Sequence, residues 1–340
     1  MKKILQIIII VFVCQASIAQ DTFSIVALDP LTGEIGSAAA SCVDGITDPD
    51  FIDFLTRIIP NRGGIMSQAL ICVPNPNLAN AATQMEAGLS PLEIIDYLLA
   101  NDVCSAGNFN PEERQYGIVD FDGQGGTRAA GFTGSLNQSY AEHRLGPSLT
   151  VKTYSIQGNI LADVSVIDNM ENNFNNTNGT LADKLMAALQ GANFPGADSR
   201  CLSDGTSSKL AYLMVYRPDD DPADPYLRLS VPSQPAGVEP IDVLQSLYDN
   251  FLSLDENDLK EQIRIFPNPT TSVLTIRIDI SEAFSGLTVT DIFGKMIIDK
   301  KHLANNGSRY DLDIRNLQSG IYFLKVKTFE GNKIFKFIKK

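Results

Sequence analysis

Few side chains in this 340-residue chain have a type and spacing suited to chemistry. There are two histidines, His143 and His302, so a Ser-His-Asp triad would have to be built on one of them. Cys14 lies near the N-terminus, and Cys42, Cys72, Cys104 and Cys201 are spread through the rest. No C-x-x-C pair or Cys/His cluster occurs, which argues against a zinc site and against thioredoxin-like redox chemistry. The last four cysteines allow three pairings, and spacing does not choose among them or against buried thiols. Asp219-Asp220-Asp221 with Asp224 offers oxygen ligands for Ca²⁺, but lacks the glycine and closing glutamate of an EF-hand loop and reads as a solvated loop. Gly123-Gln124-Gly125-Gly126 is a turn and not a phosphate loop, because no Lys-Ser/Thr follows and the next element is a strand. No cofactor or metal is expected.

The elements that position these residues follow from patterning. Residues 22–28 (TFSIVAL) are rich in β-branched and aromatic side chains and predict a strand. Asp29-Pro30-Leu31-Thr32-Gly33 is a turn, and 34–41 form a second strand, so the segment opens as a hairpin. That second strand contains Gly36-Ser37-Ala38-Ala39-Ala40-Ser41, almost without side-chain volume, so either a neighbouring element or a ligand must pack very close. Gly63-Gly64 leads a third strand to Cys72, ended by Pro74 and Pro76. A helix over 78–87 stops at Gly88, and Ser90-Pro91-Leu92-Glu93 is a capping box for the next. A second hairpin pairs 115–121 with 127–133, and 152–157 form a strand before Gly158-Asn159. Helices follow over 163–174 and 181–190, the latter capped by Thr180, and 210–217 form the last strand. Strands alternating with helix pairs imply an α+β class, an antiparallel sheet layer covered by helices.

The ends of the chain carry addresses. Met1-Lys2-Lys3 is basic, 4–14 are apolar apart from Gln6, and Ser17-Ile18-Ala19 places small residues before a cut. This is a secretory signal-peptide pattern over 1–19, to be read by the Sec translocon and cleaved between Ala19 and Gln20. No other run approaches the roughly 18 apolar residues of a spanning helix. Residues 20–261 hold 33 Asp/Glu against 12 Lys/Arg, a net of −21, and 262–340 hold 7 against 13, a net of +6. The acidic body argues against nucleic acid as a partner and favours solubility.

Residues 263–340 read as short alternating strands with turns at Pro267-Asn268-Pro269, Phe293-Gly294-Lys295, Asn305-Asn306-Gly307-Ser308 and Glu330-Gly331-Asn332, a small all-β sandwich. Pattern alone would also allow an adhesive Ig-like module. The ordered blocks Pro267-Asn268-Pro269, Asp291-Ile292-Phe293-Gly294-Lys295, Leu317-x-x-Gly320-Ile321-Tyr322 and Lys339-Lys340 resemble the type A C-terminal sorting domain of the bacterial type IX secretion system. The resemblance implies that this machinery is the partner of the tail and that the protein is secreted or cell-surface. It also implies that the tail is commonly cut off, which would leave His143 as the histidine of any triad. Residues 231–262, rich in Pro and Ser up to Pro240 and then amphipathic over 241–254, read as a linker with a short helix.

The stretches TFSIVALDPLTGEIGSAAAS, GGIMSQALICVPN, AGLSPLEIIDYLLA, RQYGIVD, AAGFTGS, AEHRLGP and YSIQGNILA identify 20–230 as similar to the domain-of-unknown-function family numbered 1028. The resemblance implies an N-terminal-nucleophile (Ntn) hydrolase-like αββα sandwich, with no established activity. An Ntn hydrolase uses a Thr, Ser or Cys at the start of its mature chain, whose free α-amino group serves as the base. Thr22 would be that residue. Ser41, Gln68 and Asn159 lie in family blocks that would line its pocket, the two amides as hydrogen-bond donors. His143 lies in another block, and Asp198 and Arg200 remain from a stretch that is compact in the family and expanded here to ADSRCLSDGTSSKL. Cleavage after Ala19 leaves Gln20-Asp21 ahead of Thr22, so catalysis needs a further cut; otherwise Thr22 merely begins a strand. The expected activity is hydrolysis of an amide bond in a peptide or cell-wall fragment, and the alternative is a non-catalytic secreted binding module on the same scaffold.

Overall fold

The computed structural model describes residues 17–20, 22–146, 152–278, 286–291, 294–301, 309–328 and 331–340. The residues before Ser17, where a signal peptide is expected, the turn at 305–308 and His302 lie outside the described residues. The chain divides into two compact units, Met1–Tyr248 and Asp249–Lys340.

The first unit begins with β1 (Ser17–Gln20), β2 (Thr22–Leu28), β3 (Ile35–Ser41), α1 (Ile52–Leu55), β4 (Thr56–Ile59) and β5 (Gly63–Cys72). Then come α2 (Pro76–Glu86), α3 (Pro91–Ala100), β6 (Arg114–Phe121), β7 (Thr127–Thr133), β8 (Glu142–Leu145) and β9 (Thr153–Gly158). The unit closes with α4 (Ser165–Asn176), α5 (Leu181–Gly191), β10 (Leu210–Tyr216), β11 (Leu227–Val231) and the start of α6 (Pro240–Gln262), a helix that passes from one unit into the other after Tyr248. Two antiparallel sheets result. One runs β1-β5-β6-β7 with β4 also paired to β5, and the other runs β11-β10-β3-β2-β9-β8. They face each other through β2 against β5 and β6, and β9 against β6 and β7. The outer face of the first sheet is covered by α2 and α3, and that of the second by α4 and α5. The fold is therefore mixed α and β, in helix, sheet, sheet and helix layers.

Local chemistry accounts for the element ends. Ser90 and Glu93 form the expected capping box at α3, and Thr180 with Asp183 does the same at α5. Asp122 accepts from the amides of Gln124 and Gly126, which closes the hairpin turn between β6 and β7. The small residues of β3 answer to close packing: a Cβ on Gly36 would lie 2.6 Å from Leu185 of α5 and 2.9 Å from the Met214 carbonyl. Two carboxylates of the Asp219–Asp224 loop are engaged by local amides, Asp220 by those of Arg217 and Tyr226, and Asp221 by that of Ala223.

The stretch expected as a linker is packed against the first unit for much of its length. Ser233 bonds the Val43 carbonyl, Glu239 accepts from Ser207, and Ile241, Leu244 and Tyr248 are buried. The reason is the apolar face of α6, which the unit needs to cover its core.

The second unit contains β12 (Ile263–Phe266), β13 (Val273–Ile278), β14 (Gly286–Asp291), β15 (Met296–Lys301), β16 (Arg309–Asp313), β17 (Gly320–Thr328) and β18 (Gly331–Lys339). Sheets β12-β13-β16 and β15-β14-β17-β18 share a core that includes Ile276, Leu287, Leu324 and Phe337. Asn268 accepts from the Ile338 amide at 2.9 Å and donates to the Lys336 carbonyl, while Lys340 donates to Thr270. The Pro267-Asn268-Pro269 block and the final lysines, far apart in sequence, are thus one structural feature.

Candidate functional site

Thr22 begins β2 and is fully buried. Its neighbours within the sheet are Ser41, its register partner on β3, and Asn159, whose backbone amide donates to the Thr22 carbonyl at 3.3 Å. From the facing sheet Gln68 Nε2 donates to the same carbonyl at 2.8 Å. Four residues named from the sequence, Thr22, Ser41, Gln68 and Asn159, therefore share one buried locus.

A chain of polar side chains runs from this locus between the sheets. Ser155 Oγ donates to Gln157 Oε1 at 2.8 Å, Gln157 Nε2 to Ser24 Oγ at 2.6 Å, and Ser24 Oγ to Gln68 Oε1 at 2.5 Å. Gln68 Nε2 and Asn159 Nδ2 both donate to Gln115 Oε1, at 2.8 and 2.9 Å. Gln115 Nε2 donates to Thr133 Oγ1 at 2.9 Å, and Thr133 Oγ1 meets His143 Nδ1 at 3.0 Å. A core made this polar is tolerable because nearly every group in it has a partner. Asn159 Oδ1 is an exception: among the described residues it is buried with no hydrogen-bond partner. Such an acceptor costs about 1–3 kcal/mol.

Two residues with positive φ follow the buried amides Gln68 and Asn159. Ala69, after Gln68, has φ 71, and Ile160, after Asn159, has φ 54. For a β-branched isoleucine this is an outlier, of order 1–3 kcal/mol, sustained only where the surroundings impose it. Both strained residues are buried beside the locus that their preceding amides line.

His143 on β8 stands at the outer end of the polar chain. Its ring lies over Gly131, where a Cβ would come within 2.4 Å of His143 Cδ2. It lines a cleft of about 440 Å³ with Thr133, Ser135, Asn137, Tyr140 and Glu142. Burial holds its imidazole below the ordinary range, against the opposing pull of the Glu142 carboxylate. The hydrogen bond from Tyr140 to Glu142 pushes the phenol up to about 12.

Asp198 and Arg200 stand beside the end of β3. Asp198 Oδ2 accepts from the Cys42 amide at 3.0 Å and from Arg200 Nη2 at 2.7 Å. Cys42 and Cys201 are disulfide-bonded, with Cα atoms 5.8 Å apart, which ties this loop to β3. Cys72 and Cys104 form the other disulfide, with Cα atoms 5.6 Å apart. Beside it Arg114 is fully buried, paired with Asp102 at 2.8 Å and donating to the Cys104 carbonyl. This pair fixes the end of β5 next to Gln68 and Gln115.

Ser24, Gln115, Thr133 and Gln157 carry no motif of their own in the sequence. The available signal was alternation: Thr153, Ser155 and Gln157 recur at period two along β9, all fully buried, and so mark a polar inward face. Gly117 completes the fit, since a Cβ there would meet Gln157 Oε1 at 2.0 Å.

The fold belongs to a recognisable class. Residues 22–241 match the family of unknown function DUF1028, and the chain belongs to that family. Residues 264–340 match the secretion-system C-terminal sorting domain, which marks the protein for export by the type IX machinery to the cell surface or beyond. Among solved structures, a crystal structure of a protein of the same family from Silicibacter pomeroyi is similar over 72% of this chain and 94% of its own. That similarity has a TM-score of 0.52 at 27% sequence identity. No curated protein matches the chain.

Proposed function

We propose that this exported protein is an Ntn-type hydrolase of an amide bond, in a peptide or cell-wall fragment, with Thr22 as its nucleophile. The observation that carries the reading is the setting of Thr22: first residue of a central strand, fully buried, its carbonyl held by Gln68 from the opposite sheet and by the Asn159 amide. The layering of two sheets between two helix pairs is the arrangement an Ntn-hydrolase-like sandwich would have. A cut before Thr22 places a free amino group among amide side chains, where it acts as the base for the adjacent hydroxyl. Asn159 Nδ2, which gives one N–H to Gln115, has a second to offer a developing oxyanion, while Gln68 uses both of its own to hold Thr22 and Gln115 in place; the polar chain to His143 is a route for charge relaxation. Asp198 and Arg200 border the pocket on the Ser41 side. The route to the cell surface runs through the Sec translocon, by the signal peptide cut between Ala19 and Gln20, and then through type IX export.

One feature favours a second reading, a secreted binding module without catalysis. Signal cleavage after Ala19 leaves Gln20-Asp21 ahead of Thr22 and no free amino group on it. The N-terminal sequence and intact mass of the mature protein decide between the two. A chain that starts at Thr22 supports the hydrolase; one that starts at Gln20 removes the Ntn mechanism and leaves ligand binding.

A further inference from the structure

In the uncut chain β1 is a short strand laid on the edge of β5. Its register is antiparallel, Ser17 opposite Cys72, Ile18 opposite Ile71, Ala19 opposite Leu70 and Gln20 opposite Ala69. On its other side β5 leaves β6 at the Ala69–Arg114 pair, so beyond Ala69 the strand that pairs with β5 is β1. On the β1 side, β4 covers β5 only from Gly63 to Met66. The expected signal cleavage removes Ser17, Ile18 and Ala19, and with them the partner of Leu70, Ile71 and Cys72. What remains is a strand edge with a row of backbone donors and acceptors, a template for another extended chain.

Several features keep that edge in shape once β1 is gone. The Cys72–Cys104 disulfide anchors its far end. Arg114 Nη1 donates to the Leu70 carbonyl at 2.5 Å, and Ala69, at φ 71, marks the point where β5 turns from β6 to β1. Gln68, the next residue, is the one that holds Thr22. The edge therefore leads directly to the Thr22 locus, and β1 runs along it with its C-terminal end toward Thr22.

We infer that Ala69–Cys72 is a substrate-docking strand and that its occupant is an extended peptide, lying antiparallel in the place of β1 with its C-terminal side toward Thr22. This rests on the reading of Thr22 as nucleophile, and it specifies the substrate class and polarity of that site. The carbonyl just beyond the residue opposite Ala69 is the one presented. Thr22 Oγ forms a bond to that carbonyl carbon, the peptide C–N bond breaks, and the hydroxyl proton passes through the α-amino group to the leaving amine. Water then cleaves the ester, which restores the hydroxyl and releases the docked segment as a carboxylic acid. Main-chain bonding supplies affinity, and side chains on alternate positions supply selectivity.

The test uses the exported protein from culture medium and the peptide acetyl-Ser-Ile-Ala-Gln-Asp-amide, the sequence of β1 extended by the next residue. Binding is measured by fluorescence polarisation for the parent and for copies N-methylated at one backbone amide each. In an antiparallel pair alternate residues direct their N–H to the partner. Methylation at alternate positions is therefore expected to weaken binding tenfold or more and to leave the intervening positions nearly unchanged. Absence of binding, or a loss indifferent to position, overturns the docking strand. Hydrolysis of a longer peptide is followed in the same samples. Period-two binding without turnover keeps the docking strand and removes Thr22 as nucleophile, whereas turnover without the period does the reverse.

Discussion

Gln68 Nε2 donates to the carbonyl oxygen of Thr22 across the gap between the two sheets, 2.8 Å apart and 46 residues removed in sequence. The same amide group also serves Gln115 and accepts from Ser24. Gln68→Leu keeps the volume but leaves three buried polar partners short of a bond. It is expected to lower stability by about 1–3 kcal/mol, because the Ser24 hydroxyl loses its acceptor while Thr22 and Gln115 keep their bonds from Asn159. Urea unfolding would register this as a lower midpoint at an unchanged slope.

Thr22→Ala tests the nucleophile while keeping the bonds from Gln68 and Asn159, which go to the main-chain oxygen that alanine retains. Hydrolysis of a peptide library is expected to fall by at least on the order of 10³-fold. Thr22→Ser is expected to stay within about tenfold, since serine keeps the hydroxyl. Equal turnover by the alanine variant and the parent would remove Thr22 from the reaction.

The position of His143 predicts a pH dependence. Its folded-state pKa lies below the ordinary histidine value of about 6.5, with burial the larger cause. Below that value the unfolded chain binds the proton more readily than the folded one. The contribution of His143 to stability is therefore complete above about pH 6.5 and lost as the pH falls toward the folded pKa. His143→Gln keeps a partner for Thr133 and should lessen the stability difference between pH 7.5 and pH 5.5. Thermal melts of both proteins at the two pH values measure it, and identical differences would refute the assignment.

The disulfides differ in what they constrain. Cys42–Cys201 closes a separation of 159 residues and Cys72–Cys104 one of 32. In the chain-entropy account the longer loop gains more, within a typical range of about 2–5 kcal/mol. The double substitution Cys42→Ser/Cys201→Ser should cost more stability than Cys72→Ser/Cys104→Ser. It should also loosen Asp198, which the Cys42 amide holds. Guanidinium unfolding of the two variants gives the order directly.

Asn268 joins the start of the sorting tail to its last strand by two hydrogen bonds. Asn268→Ala is expected to cost about 1 kcal/mol in the tail and to reduce the protein recovered from the medium. A variant exported as well as the parent would show that the machinery does not read this junction.

The sequence by itself determined the local elements, the family and the sorting tail. Hairpins, capping boxes and the acidic loop were legible because each depends on residues a few positions apart, such as Ser90 with Glu93 or Asp122 with Gly126. The family and the sorting tail were legible for a related reason, since their blocks occur in order along the chain. Less visible were β4, β8 and β11, short strands that exist through pairing with a longer neighbour, and the packing of the supposed linker onto the first unit.

Tertiary structure alone decided what surrounds Thr22. Gln115, Ser24 and Gln157 read as ordinary strand polars until two sheets face each other and their amides must satisfy one another. Tertiary contact also chose one cysteine pairing out of three, and set the positive φ at Ala69 and Ile160. It laid β1 along β5 as well, since an edge forms a partner only when distant segments meet. Patterning records which face of a strand is buried; what lies opposite that face is a property of the assembled layers.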